Sequence, residues 1–164
     1  MNILFFLTPK SEVAYVEEDD SLRQVLEKME YHGFTAIPLL TMEGKYIGTI
    51  TEGDVLWKLK KENFPRLHEM EDISVMQLIR SRDNRAVHVN VKMEELLERV
   101  MRQNFVPVVD DEKIFIGIIT RKDVIQFLTN ELKKMQDAVE ECGRRTEEKT
   151  VADRGRQQEE CAGT

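Results

Sequence analysis

Two segments of this chain repeat one chemical pattern: Gly48-Thr49-Ile50-Thr51-Glu52-Gly53-Asp54 and Gly117-Ile118-Ile119-Thr120-Arg121-Lys122-Asp123. In each, a β-rich run ends on a threonine, and an aspartate follows where a helix should be starting. A helix N-terminus presents unpaired backbone N–H groups and a partial positive charge, which attract phosphate. The threonine hydroxyl can bond a phosphate or a ribose oxygen. The aspartate, within the first turn, can accept from both hydroxyls of a ribose. The same spacing also describes an ordinary helix N-cap with a favourable acid behind it. Arg121 and Lys122 add positive charge beside Thr120, where the first copy has Glu52 and Gly53, and an arginine fork pairs well with phosphate.

The elements that must position these residues are themselves duplicated. Val16 to Leu22 aligns with Val87 to Met93 at a shift of 71, and Ile47 to Asp54 with Ile116 to Asp123 at a shift of 69. The second copy is therefore two residues shorter just before Phe105. Leu22, Val25, Leu26 and Met29 form an apolar helical stripe, and Met93, Leu96, Leu97 and Val100 repeat its spacing. Ser21 with Gln24 makes a capping box, and Gly33 suits the helix's far end. Two β-rich runs follow each helix, Ala36 to Leu40 then Tyr46 to Thr51, and Phe105 to Val109 then Ile114 to Thr120. The polar segments 42–45 and 110–113 have hairpin length. A second helix then begins after Thr51 and after Thr120.

This order predicts an α/β (α+β) fold of two β-α-β-β-α units related by a pseudo-twofold axis. Each unit, at roughly fifty residues, is too small to bury its sheet comfortably alone, so the two should share a core. The expected boundaries are residues 1–62 for the first repeat with its lead-in segment, 63–72 for a linker and 73–143 for the second repeat with an extended C-terminal helix. Residues 144–164 read as a disordered tail. The short run 73–79 is expected to be helical and to match 2–8.

Composition narrows the function classes. Hydrophobic residues at 41% suffice for a core, and a net charge of -7 argues against general nucleic-acid or membrane-surface binding. No run approaches the roughly 20 apolar residues of a membrane span. The opening Ile3-Leu4-Phe5-Phe6-Leu7 lacks a preceding basic residue, so it reads as a buried element, and a cytoplasmic location is expected. Cys142 and Cys161 have no metal or disulfide spacing, and His32, His68 and His88 are scattered. No paired base and nucleophile and no P-loop is present, so the chain does not read as an enzyme. Trp57 is expected at a helix interface or a dimer seam.

Thr8-Pro9-Lys10, the helix stripes, Ala36-Ile37-Pro38-Leu39-Leu40, Val106-Pro107-Val108-Val109-Asp110 and the two Gly-to-Asp segments together resemble the tandem CBS-domain pair, or Bateman module. The resemblance spans nearly all of residues 1–135. It implies a regulatory module, often a homodimer, that binds an adenosine-containing ligand such as AMP, ATP, S-adenosylmethionine or cyclic di-AMP. In that family each cleft mixes the repeats: one gives the Thr and Asp for ribose and phosphate, the other holds adenine. Carried over, one cleft sets Thr120, Arg121, Lys122 and Asp123 against Thr8, Val13, Thr35 and Ala36. A second, weaker cleft sets Thr51 and Asp54 against Arg80, Arg85 and Phe105. Residues 33–38, Pro65-Arg66-Leu67, Asn104-Phe105 and 115–121 look most like the stand-alone cyclic di-AMP-binding CBS proteins of Gram-positive bacteria. No obligatory cofactor is implied. The output would be an unidentified regulated protein, and the alternative is a structural or protein-interaction module with degenerate pockets.

Overall fold

The computed structural model describes residues 2–161, with side chains through residue 141. It divides into two units, Met1–Val124 and the chain from Ile125 onward. Both repeats lie in the first unit up to the first turn of the last helix. Strand β1 (Leu7–Pro9) and the short β2 (Val16–Glu17) precede helix α1 (Leu22–His32) and the hairpin β3 (Ala36–Leu40) and β4 (Tyr46–Thr51), which leads into α2 (Glu52–Lys61). The second repeat supplies β5 (Val87–His88), α3 (Met93–Arg102), β6 (Phe105–Val109), β7 (Phe115–Thr120) and α4 (Arg121–Cys161). Mixed α/β architecture and the duplicated element order are as the sequence predicts.

Local chemistry explains the boundaries. Ser21 and Gln24 close a reciprocal capping box on α1, which ends on Gly33 in the left-handed conformation at φ 64°. Gly33, Phe34 and Thr35 separate α1 from β3, but only Gln103 and Asn104 separate α3 from β6. The two-residue shortening thus removes the left-handed glycine turn: Gln103, which follows α3, is extended.

The lead-in segments are exchanged between repeats. β1 joins the second repeat's sheet, ordered β1-β7-β6-β5, with Thr8 opposite Ile118 and Pro9 opposite Gly117. The first repeat's sheet has three strands, β2-β3-β4. Met70, Val75 and Leu78 from the second lead-in instead pack into its core with Val16, Leu22, Val25, Ile37, Leu39 and Ile50. Each repeat is completed by the other, which answers the small-domain problem. Two pairs mark the pseudo-twofold axis. Lys45 bridges Ile114, and the Tyr46 and Phe115 rings stack 6.3 Å apart, each pair joining equivalent positions.

Two expectations differ. The segment 73–79 holds only a short 3-10 turn at Val75–Gln77, because Ser74 caps it and Leu78 returns to extended backbone. The last helix does not stop at Gly143. Its backbone stays helical to Cys161, through a run rich in Glu, Arg and Gln and free of proline, where a disordered tail was expected. Residues 162–164 lie outside the described residues.

Candidate functional site

Exchange of the lead-ins opens a cleft between the repeats. It encloses about 400 Å³ and is lined by Thr8, Glu12, Val13, Ala14, Gly33, Phe34, Thr35, Ala36, Pro38, Asn104, Phe105, Ile118 and Thr120. That volume lies within the range of small-ligand pockets. Thr8, Val13, Thr35, Ala36 and Thr120, expected to face one another from sequence, all line it. They meet because β1 lies on β7 while β3 follows the glycine turn. Thr35 and Asn104, equivalent in the two repeats, also hold the walls: their carbonyls accept from the Glu52 and Arg121 N–H groups at 3.0 and 2.9 Å. The lining is mostly apolar, with the threonine hydroxyls, Asn104 and Glu12 as its polar points.

Thr120 caps α4. Its hydroxyl donates to the Asp123 carboxylate and accepts from the Asp123 N–H at 3.2 Å. The helix-cap reading and the ligand reading therefore share the same atoms. Asp123, Arg121 and Lys122 follow Thr120 in the first turn of α4 and are not among the lining residues. Lys122 is exposed. Arg121 has a task that its sequence position hid: its Nε donates to the carbonyls of Val100 at 2.8 Å and Gln103 at 3.2 Å. It closes the C-terminus of α3, as the Gly33 N–H does for α1 through Met29 and Glu30. Removal of the glycine turn created the need that this side chain fills. Only its two Nη groups remain for an anion.

Of the five residues expected to form the second cleft, Thr51 and Asp54 bond each other, and Asp54 also meets Ser81, the neighbour of Arg80. Phe105 lines the first cleft instead. Arg85 is tied through its backbone to the Gln103 amide, at 2.8 Å and 3.1 Å. The Asp54 carboxylate, 2% exposed, accepts from the Thr51 N–H and hydroxyl and from the Ser81 N–H and hydroxyl, all between 2.7 and 2.9 Å. Burial pushes this carboxyl up, but the Thr51 and Ser81 bonds outweigh it and hold it below the usual carboxylate range. Arg80 binds Asp83 at 2.8 Å, and Asp83 accepts the Thr49 N–H at 3.0 Å. The loop 80–84 therefore covers the β4 edge, opposite the position that β1 takes on β7. Tyr46 completes the seal by donating to the Asn84 carbonyl at 2.6 Å. Burial, helped by the Asp83 charge, raises its phenol well above the ordinary value despite the bond to Thr49.

Sequence reasoning missed Glu12, Ala14, Gly33, Pro38, Asn104 and Ile118 as lining residues. Alternation along the hairpins could have found Pro38 and Ile118, which lie opposite Thr49 and Thr8 on paired strands. Glu12 lies in a 3-10 turn, Lys10–Glu12, with no motif around it. Trp57 is exposed on α2, its ring beneath the Lys60 ammonium at 5.7 Å. Among the described residues no group of His, Cys, Asp and Glu could hold a metal ion, and no helix is long and apolar enough to cross a membrane.

Comparison with known proteins places this geometry. The chain is 27% identical over 133 residues to cyclic di-AMP receptor B of Bacillus subtilis, covering 79% of this chain and 88% of that protein. It is 28% identical over 117 residues to inosine-5'-monophosphate dehydrogenase of Methanocaldococcus jannaschii, spanning 70% of this chain but about a fifth (21%) of that enzyme. A crystal structure of CbpB in complex with c-di-AMP superposes with a TM-score of 0.75 at 23% identity, over 84% of this chain and 90% of that one. The CBS-domain family model matches residues 6–61 and again residues 75–130, the two repeats whose lead-ins are exchanged. The chain belongs to the CBS-domain family and carries two copies of the domain.

Proposed function

We propose that this protein is a non-catalytic sensor that binds an adenine nucleotide, cyclic di-AMP before AMP or ATP, in the cleft between β1, β3 and β7. One observation carries the reading. Five separated residues, Thr8, Val13, Thr35, Ala36 and Thr120, the last of which caps α4, converge on a cleft of about 400 Å³. An apolar slot suits a base, and the α4 N-terminus suits a phosphate. Glu12 belongs at the base end, where a carboxylate accepts from an exocyclic amine and stays clear of phosphate. Thr120, Asp123 and the Nη groups of Arg121 belong at the sugar-phosphate end, with Lys122 supplying charge from outside. The similarity to a cyclic di-AMP receptor over most of both chains supports this choice of ligand.

The second cleft makes no comparable offer, because Ser81 and Asp83 already satisfy Asp54 and the Thr49 N–H. Binding acts by linkage: a ligand that prefers one arrangement of a cytoplasmic homodimer shifts the population toward it, and a partner protein reads the change. A thermal-unfolding series with cyclic di-AMP, AMP, ATP and S-adenosylmethionine tests the reading. A true ligand at a hundred times its Kd adds about 2.7 kcal/mol of stability. If no nucleotide moves the transition, the sensor reading falls and the interaction-module alternative replaces it.

A further inference from the structure

The last helix carries an apolar stripe that the nucleotide cleft does not use. Val124 is buried within the first unit, but Ile125, Leu128, Leu132, Met135 and Val139 are 40–71% exposed. Their spacing, three, four, three, four, is the 3.5-residue repeat of a coiled-coil seam, not the wider stripe of a helix lying on a globular core. Taken as heptads, Ile125, Leu132 and Val139 occupy the first core position and Leu128 and Met135 the second.

Three features name the occupant. β-Branched Ile125 and Val139 at two of the three first core positions, with Leu128 and Met135 at the second, favour two parallel strands. The residues flanking the seam, Thr129, Glu131, Gln136 and Ala138, hold a single charge, so two copies meet without repulsion. Lys133, Lys134, Asp137, Glu140 and Glu141 all fall on the outward positions. The seam is thus self-complementary along about 22 Å of helix.

We propose that α4 pairs with α4 of a second copy of this chain in a parallel two-stranded coiled coil, seated on Ile125, Leu128, Leu132, Met135 and Val139. This rests on the homodimer reading above and not on the nucleotide. The coiled coil would set the C-terminal helices of the two copies side by side.

The test is disulfide trapping in the full chain with Cys142→Ser and Cys161→Ser as background. Under mild oxidation Met135→Cys, on the seam, cross-links into a covalent dimer, while Lys134→Cys, one residue along and pointing outward, does not. Sedimentation of the double variant Leu132→Glu, Met135→Glu shows self-association about tenfold weaker or worse, with the module's thermal transition kept. No cross-link at residue 135, or equal cross-linking at 134 and 135, overturns the proposal. If the unmodified chain sediments as a dimer while residue 135 fails to cross-link, the seam is refuted and the homodimer stands.

Discussion

The two motif glycines, Gly48 and Gly117, are equivalent by sequence yet should differ sharply when replaced by alanine. At Gly117 a Cβ would collide with the backbone carbonyl of Thr8 and press on Leu7 and Pro9. Backbone cannot swing aside, so β1 must leave its register on β7, where Thr8 faces Ile118 and Pro9 faces Gly117. Overpacking of that kind costs about 1–3 kcal/mol, and the loss of one or two strand hydrogen bonds adds about 0.5–1.5 kcal/mol each. Gly117→Ala should therefore cost about 1.5–6 kcal/mol, and it should also damage the cleft that Thr8 lines. At Gly48 the collision is with the Asp83 carboxylate and the Arg80 guanidinium, which can move. That change releases the Asp83 bond to the Thr49 N–H, worth about 1.5–3 kcal/mol as a charged pair, and regains about 0.4–1 kcal/mol because alanine restrains the unfolded chain. The net cost is about 0.5–2.5 kcal/mol. Urea unfolding of both variants, with m unchanged from the parent, measures the difference. Equal costs, or a larger cost at Gly48, would refute the assignment of β1 to β7 and of the loop 80–84 to the β4 edge.

Arg121→Ala should lower stability by about 1.5–3 kcal/mol in the absence of any ligand, because the Val100 and Gln103 carbonyls lose a charged donor; a variant that only weakens nucleotide binding would show that the capping role is wrong. Asp54→Asn should cost about 1–3 kcal/mol at neutral pH and flatten the acid limb of the stability curve. The sign follows from its lowered value: the folded carboxyl binds protons less readily than the unfolded one, so its contribution is complete above about pH 4 and is lost as pH falls through the folded value. An unchanged acid limb in denaturant melts at stepped pH would contradict the four-bond environment of Asp54.

Much of the fold was legible because the duplication fixes it twice. Leu22 to Met29 and Met93 to Val100 declare their helices, and Ser21, Gln24 and Gly33 mark ends through caps that depend only on neighbouring residues. The cleft was legible through the motif at Thr120 and through the family resemblance at Thr8, Val13, Thr35 and Ala36. What escaped depended on distance. Nothing near Arg121 in the chain announces that α3 lacks its glycine turn, so a side chain committed to Val100 and Gln103 read as a phosphate ligand. Ser81 and Asp83 gave no sign that they would satisfy Asp54 and the Thr49 N–H, since those contacts span 27 and 34 residues. Phe105 keeps the register of its first-repeat counterpart, facing Thr120 as Ala36 faces Thr51.

Calorimetric titration with cyclic di-AMP tests the central claim most directly. The account predicts one ligand per chain, abolished by Ala36→Trp, which fills the cleft between β3 and β7, and retained in Asp54→Asn. Two ligands per chain, or binding that survives Ala36→Trp and disappears in Asp54→Asn, would place the working site at the other repeat and contradict it.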